Sequence, residues 1–88
     1  MNEPLDTRLK RLKMRSMRRG IKEMDIILSR FAEECLSQMN QKDLDVYEDF
    51  LEQNDQDLYQ WVSGQRASAP QFQALVEDIK THISNTAR

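Results

Sequence analysis

Ile21, Met24, Ile27, Leu28, Phe31, Ala32, Cys35, Leu36 and Met39 recur at spacings of one, three and four residues, a pattern that an α-helix gathers into one stripe. A stripe that long must be covered, and the remaining apolar residues repeat in the same way. Leu5, Leu9 and Leu12, with Pro4 where a first helical turn tolerates proline, predict a helix over residues 4–17. Gly20 interrupts the pattern before the central helix begins. Asn40 and Asp43 supply turn and capping chemistry ahead of Leu44, Tyr47, Phe50 and Leu51, and Asn54 and Asp55 repeat the device ahead of Leu58, Trp61 and Val62. Gly64 should end that fourth helix. Residues 63–70 read as the longest loop, and Pro70 opens a fifth helix with Phe72, Leu75, Val76, Ile79 and Ile83 on one face.

No segment sustains the two-residue alternation of a half-buried strand. The expected fold is therefore all-α, a compact single-domain bundle of about five short helices over residues 1–88, with an ordered core from about 5 to 83. At 88 residues and 39% hydrophobic content, the chain has material for one core.

The residue types restrict the chemistry. A lone cysteine, Cys35, excludes an internal disulfide and a multi-cysteine metal site, and suits a reducing compartment. Its place in the central stripe marks a buried, inert thiol. His82, the single histidine, falls near the end of the last helix, where it complements the helix dipole. Glycine-rich phosphate loops, dinucleotide fingerprints and calcium-loop spacing are absent. The run Glu48, Asp49, Glu52, Asp55 and Asp57 reads as a solvated helix face and helix caps, and Tyr59 and Trp61 as core and rim. The chain is expected not to be an enzyme, with no catalytic residue, no metal and no cofactor bound directly. No stretch reaches the ~20 apolar residues of a membrane span. The basic segment 8–19 follows Glu3 and Asp6 and carries helical patterning, which sets it apart from a transit peptide. A bacterial-type cytoplasmic location, without membrane insertion, is the expectation.

Charge is unevenly distributed. Residues 1–20 hold seven Lys/Arg and two Asp/Glu, while the remainder is strongly acidic. A basic front end of this kind could steer the molecule toward an acidic partner.

The junction of the first two helices concentrates the remaining functional signal. Gly20 offers backbone without a side chain and a freedom for positive φ. Arg18 and Arg19 donate forked hydrogen bonds, and Glu23 stands four residues from Arg19 in a first helical turn, where a carboxylate is favoured. Read in isolation, Gly20 simply ends a helix and Arg19 with Glu23 is a solvated pair of little energetic value.

The string Arg18-Arg19-Gly20-Ile21-Lys22-Glu23-Met24-Asp25, with Leu51-Glu52 and Asp55-Gln56-Asp57-Leu58-Tyr59-x-Trp61 further on, resembles the FAD assembly factors of succinate dehydrogenase, also called flavinylation factors. The resemblance runs from about Leu9 to Ile83. It departs from the family pattern at Met14, where an aromatic residue is expected, and at Gln56, which stands in place of a proline. It implies a five-helix chaperone that binds the flavoprotein subunit of succinate dehydrogenase and promotes covalent attachment of FAD to a histidine of that subunit, the chemistry residing in the client. A related fumarate reductase flavoprotein is a second candidate client. Arg19, Gly20 and Glu23 match the Arg-Gly-x-x-Glu signature and are implied at the client interface, with Arg18, Asp25 and Arg15 as neighbours. The free protein is expected to be a monomer. Two rival readings are a nucleic-acid binder using Arg8, Lys10, Arg11, Lys13, Arg15, Arg18 and Arg19, and a carrier that itself holds FAD.

Overall fold

In a computed structural model, residues 3–86 are described. Five α-helices follow one another: α1 (Leu5–Arg15), α2 (Lys22–Cys35), α3 (Gln41–Leu51), α4 (Asp55–Val62) and α5 (Gln73–Thr86). A 3-10 turn, Leu36–Gln38, extends the end of α2, and another, Pro70–Phe72, leads into α5. No strand occurs among the described residues.

The helix boundaries follow local chemistry. Asn40 caps α3 by accepting from the Asp43 amide at 2.8 Å, and Asn54 caps α4 by accepting from the Gln56 amide at 2.8 Å. The expected cap at Asp55 is therefore displaced by one residue. Asn54 satisfies the helix end, and the Asp55 carboxylate is left free to point elsewhere. α1 stops at Arg15, two residues short of its expected end, with Ser16 as C-cap. Gly64 takes φ +82° just beyond α4, the left-handed conformation that glycine accepts without strain.

α2 is the central element. Its Met24, Leu28, Phe31 and Ala32 are buried, as is Leu36 in the turn that follows, and α1, α4 and α5 all pack against it. Aromatic rings link the layers. Phe31 lies 5.9 Å from Tyr47, Tyr47 6.4 Å from Phe50, and Phe50 5.5 Å and 6.2 Å from Phe72 and Trp61 between ring centroids. His82 extends this chain by meeting Phe31 edge-on at 5.7 Å, with Nε2 3.1 Å from Glu34. It thus ties α5 to α2. Cys35 is partly covered, and burial, with the nearby charges of Glu34 and Asp78, pushes its thiol pKa up.

α1 is attached differently. Leu12 is its one fully buried apolar residue, Leu9 is half-buried, and Leu5 and Met14 face solvent. Just past its end, the buried Ser16 hydroxyl donates to the Leu12 carbonyl at 2.8 Å. That uses its only hydrogen, so the Tyr47 hydroxyl donates to Ser16 at 2.6 Å. Alongside runs a ladder of ion pairs. Arg8 meets Asp45 and Glu48, Arg11 meets Glu48, Arg15 meets Glu52, and Arg19 meets Asp55. The register advances in the same direction on both partners, at separations of 37 residues along α3 and 36 at the last rung. Of the acidic run expected to be solvated, Glu48, Glu52 and Asp55 instead dock α1 and the turn after it, while Asp49 stays exposed and Asp57 pairs with Arg66.

Two outcomes follow from these contacts. Burial raises the Tyr47 pKa from 10.0 to about 12. Its contribution to stability is whole below pH 10 and lost as pH rises toward 12. Urea denaturation across that range should show a loss of about 2–3 kcal/mol that Tyr47→Phe abolishes, at a neutral-pH cost of about 1 kcal/mol. Glu48 is held below the ordinary carboxylate range, chiefly by its hydrogen bond from Arg11, with burial opposing. The stability it contributes is present above that range and is lost as pH falls through the lowered value. Amide protection factors in α1, taken relative to the intrinsic exchange rate at each pH, should therefore fall on acidification before those of α2 or α5, and Glu48→Gln should flatten the dependence.

Candidate functional site

The end of α1, the start of α2, the end of α3 and the start of α4 converge on Arg19. Its Nε donates to Asp55 Oδ1 at 2.8 Å, one terminal nitrogen to the Arg15 carbonyl at 3.0 Å, and the other to the Leu51 carbonyl at 3.1 Å. The two carbonyls belong to the last residues of α1 and α3, where backbone acceptors lack helical partners and cations are favoured. The second Asp55 oxygen accepts from the Gly20 amide at 2.7 Å. The Arg19 and Asp55 side chains are 12% and 20% exposed, which distinguishes this rung from the more solvated ones.

The need for glycine at position 20 comes from this contact. A Cβ there would stand 3.1 Å from Asp55 Oδ2, tighter than ordinary contact. Positive φ is not the reason. Among the described residues only Arg18 (55°) and Gly64 have it, so the left-handed step in the α1–α2 turn falls on an arginine. That conformation is unfavourable for a residue bearing a Cβ, and such strain tends to gather at functional surfaces.

The other sequence-selected residues divide into two groups. Arg15 is part of the internal frame, paired with Glu52 through its side chain and with Arg19 through its carbonyl. Asp25, half-buried, accepts from the Ser29 hydroxyl at 3.2 Å. Arg18, Gly20 and Glu23 are exposed, and neither Arg18 nor Glu23 forms an ion pair among the described residues. The expected Arg19–Glu23 pair does not form, because Arg19 is engaged by Asp55. Asp55 is a latch and not the cap expected of it. The separation of 37 residues that pairs Arg8 with Asp45, Arg11 with Glu48 and Arg15 with Glu52 places this acidic run beside α1, but continued to Arg19 it reaches Gln56, one residue past the true partner.

The comparisons with known proteins bear on this junction. A family profile described as "flavinator of succinate dehydrogenase" matches residues 10–83, which include Arg15, Arg19, Gly20, Glu23 and Asp55. The chain belongs to this family. It is 34% identical to succinate dehydrogenase assembly factor 2, mitochondrial, of Drosophila grimshawi over 90 aligned residues, covering 99% of this chain and 61% of that protein. It is 33% identical to assembly factor 2-B, mitochondrial, of Drosophila mojavensis, covering 99% and 57%. Identity to the Saccharomyces cerevisiae (strain ATCC 204508 / S288c) assembly factor 2, mitochondrial, is 41%, over 78% of this chain and 43% of that protein. The chain thus spans less than two thirds of the length of these relatives. Among the described residues no helix is long and apolar enough to cross a membrane, and no group of three or more His, Cys, Asp or Glu is placed to hold a metal ion.

At this junction Arg19 and Gly20 have a definite internal task. Asp55→Asn should cost about 2 kcal/mol in thermal or urea unfolding, because asparagine keeps a single acceptor oxygen, so either Arg19 or Gly20 loses its partner, and the charge opposite Arg19 is removed. Glu23→Gln should stay within about 0.5 kcal/mol of the parent.

Proposed function

We propose that this chain is an assembly factor for succinate dehydrogenase that binds the flavoprotein subunit and promotes covalent attachment of FAD to it. The observation that carries the reading is the family match across residues 10–83, a range that includes the latched Arg19–Gly20 turn with Arg18 and Glu23 exposed beside it. The bond-making chemistry belongs to the client. Fumarate reductase flavoprotein, as a related client, belongs to the same proposal.

Preferential binding is a sufficient mechanism. If the client reacts with FAD in one arrangement of its domains, a partner with tenfold higher affinity for that arrangement favours it by about 1.4 kcal/mol. Such a partner needs a surface that does not yield when the client docks, and the Arg19–Asp55 latch provides that stiffness. Arg18, Gly20 and Glu23 make the contact in this proposal. Arg15, Arg19 and Asp25 hold its shape from behind.

The rival readings lose support. Arg8, Arg11, Arg15 and Arg19 are already neutralised by carboxylates of the same chain, which leaves Lys10, Lys13 and Arg18 as a sparse array for phosphates. A flavin carrier needs apolar volume and waiting polar groups, but the aromatic residues fill the core, and no buried side-chain nitrogen or oxygen among the described residues lacks a partner. In this proposal FAD is held by the client. The free protein is proposed to be a monomer. A cytoplasmic location belongs to the same proposal, supported by the single unpaired cysteine; the relatives named above are mitochondrial.

The test is flavinylation in the native host, with fractionation of the same cells to locate the protein. Arg18→Glu and Glu23→Arg should each lower covalent flavin on the succinate dehydrogenase flavoprotein by about tenfold while leaving helical content unchanged. Gly20→Arg should do so as well, with an added loss of stability through Asp55. Full flavinylation in the Arg18 and Glu23 variants together would exclude this surface.

A further inference from the structure

Glu23 borders a second feature. Between α2, α4 and α5 lies a groove of about 390 Å³, lined by Glu23 and Ile27, by Tyr59 and Val62, and by Lys80 and Ile83. Spacings of three and four put each pair on one face of its helix. Ile27, Tyr59 and Ile83 pack against the core yet remain partly open. Of the two charged residues on the groove, Lys80 is tied to Glu77 at 3.6 Å, whereas Glu23 has no ion-pair partner among the described residues. The groove is therefore an apolar trough with an uncompensated carboxylate at one rim.

We infer that this groove receives a segment of the client flavoprotein that lays an aliphatic side chain against Ile27, Tyr59 and Val62 and sets a lysine or arginine against Glu23. The inference rests on the proposed function for the identity of the client, and extends the contact from the α1–α2 turn across to α4 and α5. Two observations select the occupant. The volume suits one aliphatic side chain and the methylene stem of a basic one. The charge of Glu23 favours a cation and disfavours an acidic segment. Glu23 then links two contacts, since it lines the groove and stands three residues from Gly20 in the first turn of α2.

Ser63 and Ser84 also line the groove and are exposed, so they can be changed without opening the core. A photo-crosslinking residue placed at either position, with Ser37 as a control outside the groove, is to be mixed with the purified flavoprotein subunit carrying non-covalent FAD. Crosslinks from positions 63 and 84 should fall on one client segment that contains an aliphatic residue near a lysine or arginine. Ser84→Arg should weaken the complex about tenfold by repelling that cation, and reversing the charge of the client residue should restore binding to Ser84→Arg. Parent-like affinity in Ser84→Arg, or crosslinks confined to a second copy of this chain in sedimentation-verified dimers, would overturn the inference while leaving the proposed function standing. A parent chain that binds no flavoprotein would overturn both.

Discussion

The bond between Arg19 and Asp55 joins four helix ends at one point. Helix ends expose backbone groups that the helix itself cannot satisfy. Here one guanidinium serves the ends of α1 and α3, and one carboxylate on the first turn of α4 serves both that guanidinium and the amide of Gly20. Four helix termini are thereby fixed at one point. Without it, the α1–α2 turn would have the strained Arg18 and a single buried anchor, Ser16, to define its path.

The same arrangement changes the meaning of the charge pattern. A basic first segment ahead of an acidic remainder suggests a dipolar molecule with a steering end. In the fold the two are laid side by side, and α1 spends most of its arginines on α3. Solvated rungs of this kind contribute little each. Their collective effect is to hold α1 alongside α3, with Arg8 bridging Asp45 and Glu48. An element with one fully buried leucine is thereby positioned without a large apolar face.

Rigidity is what connects this framework to the proposed role. The aromatic chain from His82 through Phe31, Tyr47 and Phe50 to Trp61 and Phe72 ties α2, α3, α4 and α5 into one core. The latch then transmits that stiffness to the turn bearing Arg18, Gly20 and Glu23. A partner that selects one client conformation works only to the extent that its own surface resists deformation. Arg19 and the Gly20 amide thus act on the shape of the surface, and Gly20 and Glu23 are exposed on it.

Local pattern was enough to determine the five helices, their order and most of the core, since a stripe at three- and four-residue spacing can be buried in no other secondary structure. It also marked the glycine junction as unusual, and the Asn40 cap was legible from residue type alone. What it could not decide was the direction of side chains at the junction. Asn54 and Asp55 are adjacent and both are good caps, so only the packing of α4 against the α1–α2 turn determined that the asparagine would cap and the aspartate would latch. Glu23 likewise lost Arg19 to a residue 36 positions away. Periodicity reports which face of a helix is buried, but the pairing of charges depends on which helices lie together and in what register, and that is set by the tertiary structure.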